Sequence, residues 1–207
     1  MGPRLPVGDG RTGPFPLAYR FSQVVLAPGA VADLSAVLRR WTASHHVGAL
    51  AIDVGCGPRS MLDAIGVRPI GVDLSGSSVS SFARKSGPGI VARATTLPLR
   101  SGTFDSAWCF GVLHHLPDDE VDLALNELQR VTKPGGRSVV FDGVLPTPGS
   151  GLPAKLIRAI DRGRWMRSRV ALEGLLGRTG SWDCEPVRYS AWGLEGVFAT
   201  WARPPRR

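Results

Sequence analysis

The sequence predicts an α/β fold, a three-layer sandwich with helices on both faces of a mostly parallel sheet. Three observations carry this. Between residues 49 and 142 short apolar runs of strand length alternate with stretches of helical character, the signature of repeated strand–helix units. The first run hands the chain to a glycine turn, Ala51 to Pro58, read as AIDVGCGP, as a central parallel strand does where it enters a helix. Finally, 207 residues suit one such domain and are too few for two comfortable ones.

Taken in order, residues 1–16 carry Pro3, Pro6, Pro14 and Pro16 interspersed with glycines and are expected to be a mobile arm without regular structure. Residues 17–207 form the single domain. Two helical segments are expected over 17–46, the second opening near Pro28-Gly29 and running through Val31, Leu34, Val37, Leu38 and Trp41 at helical spacing. Strands are placed near 49–54, 68–73, 89–92, 105–111 and 136–142, and helices near 59–65, 77–86 and 118–132. The stretch GSSVSSFARK is rich in serine, which competes with helical backbone bonding. Gly135-Gly136 after Lys133-Pro134 reads as a helix stop. Beyond Asp142 a Pro/Gly loop leads to helices near 152–162 and 169–177, then to β-like stretches near 182–190 and 194–203.

Composition narrows the function. No apolar run approaches the roughly 18 residues of a membrane span, and the N-terminus has no signal-peptide core, so a soluble, cytoplasmic protein without a membrane partner is expected. Cys56, Cys109 and Cys184 are widely spaced and show no metal-ligand pattern, so neither a disulfide framework nor a metal site is expected. The net charge of +8 is uneven: residues 1–50 contribute +3, residues 51–150 contribute −1 and residues 151–207 contribute +6. A near-neutral core argues against a nucleic-acid partner.

The glycine turn is where a ligand is expected. Gly55 and Gly57 carry no side chain to hold it away from the backbone, and N–H groups at a helix N-terminus suit a ribose or a carboxylate. Ser60 stands where the dinucleotide fingerprint requires a third glycine, which weighs against nicotinamide and flavin cofactors. Asp53 is placed to offset a ligand ammonium. Asp73, in PIGVDLS, ends the neighbouring strand, where a carboxylate accepts both ribose hydroxyls at roughly 1.5–3 kcal/mol per charged bond.

The segments AIDVGCGP, PIGVDLS, LPLRSGTFD, FGVLHHLPD and ELQRVTKPGGRSVVFDGV, in this order from Ala51 to Val144, resemble those of class I S-adenosylmethionine (SAM)-dependent methyltransferases of the small-molecule, quinone-biosynthesis type. The resemblance implies a Rossmann-like, seven-stranded sheet whose last strand is antiparallel, SAM as the cofactor, a small-molecule acceptor, and a cap over the active site formed by residues 17–46. It implies cofactor contacts from Asp53, Gly55, Cys56, Gly57, Asp73, Leu74, Ala94 and Phe110. Two positions depart from the family pattern. Arg59 replaces a further glycine and is placed to bind the cofactor's carboxylate, to crowd the turn or to face solvent. Arg93 stands where an acid often accepts the adenine amine, so that bond must come from a backbone carbonyl, from Thr95 or Thr96, or not at all.

His114-His115 ends the fourth strand, where open α/β sheets bind ligands, and neighbouring strand residues point opposite ways. His114 is assigned as general base, Asp142 at the end of the next strand as its partner, and His115 as a substrate contact. Family members that methylate hydroxyls use a similar set, so O-methylation is the expected chemistry. In AIDRGRWMRS, Ala159 to Ser168, Arg162 and Arg164 with Arg167 around Trp165 are candidates for holding an anionic or aromatic substrate; the plainer reading is a helix end with cations favourable to its dipole. An RNA or protein methyltransferase, suggested by the basic tail, and a methyltransferase-like protein that does not methylate or catalyses another reaction, suggested by Arg59 and Arg93, are the alternatives.

Overall fold

The computed structural model of the chain describes residues 27–160 and 164–205. The arm expected over 1–16 and the first helical segment of 17–46 lie outside the described residues. Seven strands form one sheet: β1 Ala51–Val54, β2 Ile70–Asp73, β3 Gly89–Val91, β4 Phe104–Phe110, β5 Thr132–Gly143, β6 Asp183–Tyr189 and β7 Leu194–Ala202. Their order is β3-β2-β1-β4-β5-β7-β6. The first five pair in parallel, while β7 lies antiparallel between β5 and β6. The order reverses between β1 and β4, so the crevice beyond their carboxyl ends is the place where such sheets hold ligands.

The helices are α1 Ala30–Ser44, α2 Gly76–Ala83, α3 Asp118–Val131, α4 Leu152–Ile160 and α5 Arg169–Thr179. Strand alternation divides the core between the two faces. Ala107 and Cys109 of β4 pack with Leu125 and Leu128 of α3 and Leu172 and Leu176 of α5. Trp108, between them, packs on the other side with Leu38 and Trp41 of α1, Leu62 and Phe141. Trp41 meets Trp108 edge-on at 5.1 Å between ring centroids and donates its indole N–H to Thr200 Oγ1 at 3.0 Å. Helix α1 is thus fastened to the sheet face. Its inward side is Ala30, Leu34, Val37, Leu38 and Trp41, whereas Val31, counted with them in the sequence, faces outward with 61% of its surface exposed. Among the described residues no helix is long and apolar enough to cross a membrane.

Two elements differ from expectation. The helix expected over 59–65 is a single 3-10 turn, Met61–Ile65. Ser60 Oγ caps it by accepting from Leu62 N, and Gly66 closes it in the left-handed region at φ +73°, so only five residues fit between cap and stop. The glycine pair after Pro134 does not stop α3, which ends at Val131 with Thr132 already extended, and belongs to β5: pairing with β4 jumps from Phe104–Thr132 to Ser106–Arg137, and the intervening residues bulge. Arg203 fixes that corner by donating from Nη1 to the carbonyls of Gln129, Arg130 and Thr132, a cation at the C-terminal end of α3.

Candidate active site

The turn after β1 is stitched to β2 by its own backbone. The N–H groups of Gly55 and Cys56 both donate to the carbonyl of Val72, at 2.7 and 3.0 Å. Gly55 sits at φ +75°, and a Cβ there would lie 2.1 Å from Val112 Cγ2, so the position has no room for a side chain. Asp73, at the end of β2, accepts from Gly57 N at 3.0 Å through Oδ2 and from Ser75 N at 2.8 Å through Oδ1. Each carboxylate oxygen keeps a further acceptor site, so these bonds orient Asp73 without exhausting it.

A cleft of about 650 Å³ opens at this turn. Gly55, Gly57, Asp73, Leu74, Ala94 and Phe110 line it, as do Val112, His115 and Leu116. A Cβ at Gly57 would meet nothing within 4 Å, so the backbone there borders open space. Leu74, 66% exposed, offers an apolar surface beside the Asp73 carboxylate. A bare backbone turn, a strand-end carboxylate and an apolar plate are what an adenosine-bearing amino acid requires, and these residues fit SAM.

Asp53 and Cys56 do not line the cleft. Asp53 is 2% exposed and accepts from Ser60 Oγ at 2.6 Å. Its carboxyl reaches behind the turn and steadies the residue that caps the 3-10 turn. Burial, against the hydrogen bond from Ser60 and with the neighbouring charges of Asp63 and Asp73, pushes its pKa from 3.8 to about 7. Cys56 points at the space left by Gly71, whose Cβ would lie 2.8 Å from its sulfur. Burial pushes the thiols of Cys56, Cys109 and Cys184 up, which leaves them as small packed side chains. Arg59 is spent on Asp63, its Nε donating at 2.9 Å, and does not line the cleft.

The histidines are not on a strand. β4 ends at Phe110, Gly111 turns the chain at φ +65°, and Leu113–His115 is a 3-10 turn. The two side chains still part company. His115 lines the cleft. His114 does not line it and lies beside Asp142: its backbone N donates to Oδ2 at 3.0 Å and its ring Nδ1 donates to Oδ1 at 2.5 Å. Asp142 is 1% exposed and held in β5 between β4 and β7. With Nδ1 carrying the proton toward the carboxylate, the tautomer leaves Nε2 as an acceptor.

Arg162 lies outside the described residues. Arg164 does not line the cleft; its guanidinium lies over the Trp165 ring, 5.6 Å from the centroid. Trp165 N donates to His114 O at 2.9 Å, which brings this segment against the histidine turn. Arg167, read as a possible substrate ligand, is instead a strut: it donates to the carbonyls of Leu113 and Leu116 at 2.8 and 2.7 Å and pairs with Asp118. Its side chain is only 9% exposed. Two residues escaped the sequence reading, Arg167 in this structural role and Glu120, which lines the cleft from the first turn of α3. Each meets its partners across a gap of 27 to 54 residues, and no local pattern signals such contacts.

The family model described as "Methyltransferase domain" matches residues 52–140. Among curated proteins, the tRNA (carboxymethyluridine(34)-5-O)-methyltransferase alkbh8 of Xenopus tropicalis is 34% identical over 104 residues, covering 48% of this chain and 16% of that protein. The 2-methyl-6-phytyl-1,4-hydroquinone methyltransferase of Synechocystis sp. is 33% identical over 104 residues, covering 46% of this chain and 32% of that protein. The chain therefore spans less than a third of the length of either relative. Among solved structures, a SAM-dependent methyltransferase of Thermotoga maritima, described as a possible histamine N-methyltransferase, shares the fold at a TM-score of 0.67 and 15% identity, with 89% of this chain and 95% of that one covered. With the matched segment spanning β1 to β5, the glycine turn opening on the cleft and the Asp73 carboxylate at its edge, residues 52–140 carry a methyltransferase domain of the SAM-dependent type.

Proposed function

We propose that this protein transfers a methyl group from SAM to an oxygen of a small-molecule acceptor, with His114 as general base and Asp142 as its partner. The observation that carries this reading is the 2.5 Å bond between His114 Nδ1 and the buried Asp142 carboxylate, one residue from a histidine that lines the cleft. When bound, SAM supplies an electrophilic methyl group on a positively charged sulfur. Asp73 holds ribose hydroxyls, and the turn at Gly55 and Gly57 lets the ligand approach the backbone. His115 contacts the acceptor. His114 Nε2 would take the proton from the acceptor hydroxyl, and Asp142 would keep the ring in the tautomer able to do so. Orientation of donor and acceptor contributes on the order of 7–11 kcal/mol of barrier reduction, and the base a further factor of roughly 10²–10⁴.

The test is release of S-adenosylhomocysteine against a panel of phenols, alcohols, carboxylic acids and amines. His114→Ala should lower turnover on the active hydroxyl acceptor by roughly 10²–10⁴ while cofactor affinity stays within about twofold. Equal loss of both would remove the assigned role. A second reading, methylation of an RNA, is favoured by the relative that acts on tRNA and by the +6 charge of residues 151–207. It requires tRNA to serve as acceptor in the same assay and to bind with an affinity that falls steeply with salt.

A further inference from the structure

An ion pair lines the cleft. Arg93, just beyond β3, places Nη2 at 3.1 and 3.2 Å from the two carboxylate oxygens of Glu120, in the first turn of α3, and both residues line the cavity. The side chains are 54% and 31% exposed, and a pair so placed contributes little to folding, so stability gives little reason for it. The pair is also incompletely used. A single guanidinium nitrogen spans both oxygens, and among the described residues Arg93 Nε and Nη1 make no hydrogen bond, while each Glu120 oxygen keeps acceptor capacity.

Leu74, Ala94, Val112 and Leu116 give the cleft an apolar part, beside polar groups that include Asp73 and Thr95. A flat heteroaromatic ring there covers its faces with aliphatic groups and turns an edge toward a polar neighbour. The Arg93–Glu120 pair offers such an edge a donor and an acceptor side by side. The Watson–Crick edge of adenine is the complement: an exocyclic amine that donates next to a ring nitrogen that accepts.

We propose that Arg93 and Glu120 read that edge together, Glu120 accepting from the adenine amine and Arg93 donating to the adjacent ring nitrogen. The inference rests on the SAM reading above and adds the residues that select the base. It also resolves the loss of an acidic side chain at position 93: the acceptor comes from α3, and Arg93 holds it in place. The Arg93 carbonyl, another candidate acceptor, already receives Thr96 N at 3.2 Å. Hypoxanthine presents the opposite pattern, a carbonyl beside a ring N–H, and would set acceptor against acceptor and donor against donor.

The experiment is calorimetric titration of the full chain with S-adenosylhomocysteine and with S-inosylhomocysteine. The unaltered protein should prefer the adenosyl ligand by about tenfold or more, because an unmatched donor or acceptor in the slot is left without a partner. Glu120→Met, which can neither accept nor donate, should weaken the adenosyl ligand by about tenfold and bring the preference close to one. Arg93→Met should keep part of the preference, since Glu120 remains. Tight binding of both ligands with the same ratio in the unaltered protein and in Glu120→Met overturns the proposal. Equal weakening of both ligands by Glu120→Met does the same. If Arg93→Met abolishes the preference as fully as Glu120→Met, Glu120 only anchors the arginine and the joint reading fails. Binding of neither nucleoside to the unaltered protein overturns the SAM reading itself.

Discussion

The two halves of the crevice are built from different materials. On the β1–β2 side the ligand surface is mostly backbone: a turn without side chains, held by two N–H groups on the Val72 carbonyl and completed by one carboxylate that the same turn orients. On the β4–β5 side the residues behind the cleft lining are side chains brought together from far apart, with His114 and Asp142 separated by 28 residues and Arg167 reaching back over 54 residues to hold the turn that carries the two histidines. The first side depends on shape, the second on the identity of a few functional groups. A general binding site for a nucleoside-bearing donor and a particular acceptor chemistry can therefore vary separately on one sheet.

Substitutions can break or sharpen this contrast. The largest effect is expected at Asp53, a carboxyl that the backbone-built side buries. Its pKa is raised from 3.8 to about 7, so the folded protein holds a proton that the unfolded chain releases between those values. The contribution of this group to stability is full below about pH 4 and is lost as pH rises toward 7, on the order of 3–4 kcal/mol across the window. Asp53→Asn should flatten that dependence, raising denaturation midpoints at pH 8 while leaving them nearly unchanged at pH 4. Cofactor affinity that survives the substitution would place Asp53 in the scaffold; loss of it at every pH would restore a direct role toward a ligand ammonium.

A smaller effect is expected from Gly55→Ala. It adds a methyl group 2.1 Å from Val112 Cγ2 at a positive φ, and should cost about 2–3 kcal/mol and most of the cofactor affinity. Urea denaturation and calorimetry separate the two losses, and a variant that binds normally would show the turn to be less shape-dependent than argued. The smallest effect belongs to Arg59→Ala. This exposed partner of Asp63 should change stability by no more than about 0.5 kcal/mol and cofactor dissociation constants by less than twofold. A tenfold weakening would return Arg59 to the role of a carboxylate ligand.

Legibility from sequence followed the same division. Strand ends fell within a few residues of their structural positions because apolar runs and glycine stops are local signals, and Gly55, Gly57, Asp73 and Leu74 came with them. The region from Arg59 to Ile65 was read as an ordinary helix because spacing alone does not reveal that a serine cap and a glycine stop leave room for only one 3-10 turn. The position of Asp53 beside the turn lets its carboxyl reach either side, and sequence does not show the bond it accepts from Ser60 Oγ. The His114–Asp142 pair is legible because one residue lies just beyond the carboxyl end of β4 and the other near that of its neighbour β5. Glu120 and the structural use of Arg167 were not, since each depends on how α3 and the segment before α5 lie against the sheet.

The position of β7 bears on the order in which these halves can form. β1 meets β2 across 18 residues, Ile52 to Ile70, whereas Asp142 in β5 meets Val197 in β7 across 55. Closing the longer loop costs more chain entropy, and β6 reaches the sheet only through β7, so that hairpin must dock as a unit. The β1–β2 closure is the cheaper of the two, and the β5 edge that carries Asp142 gains its second neighbour only with the β6–β7 hairpin.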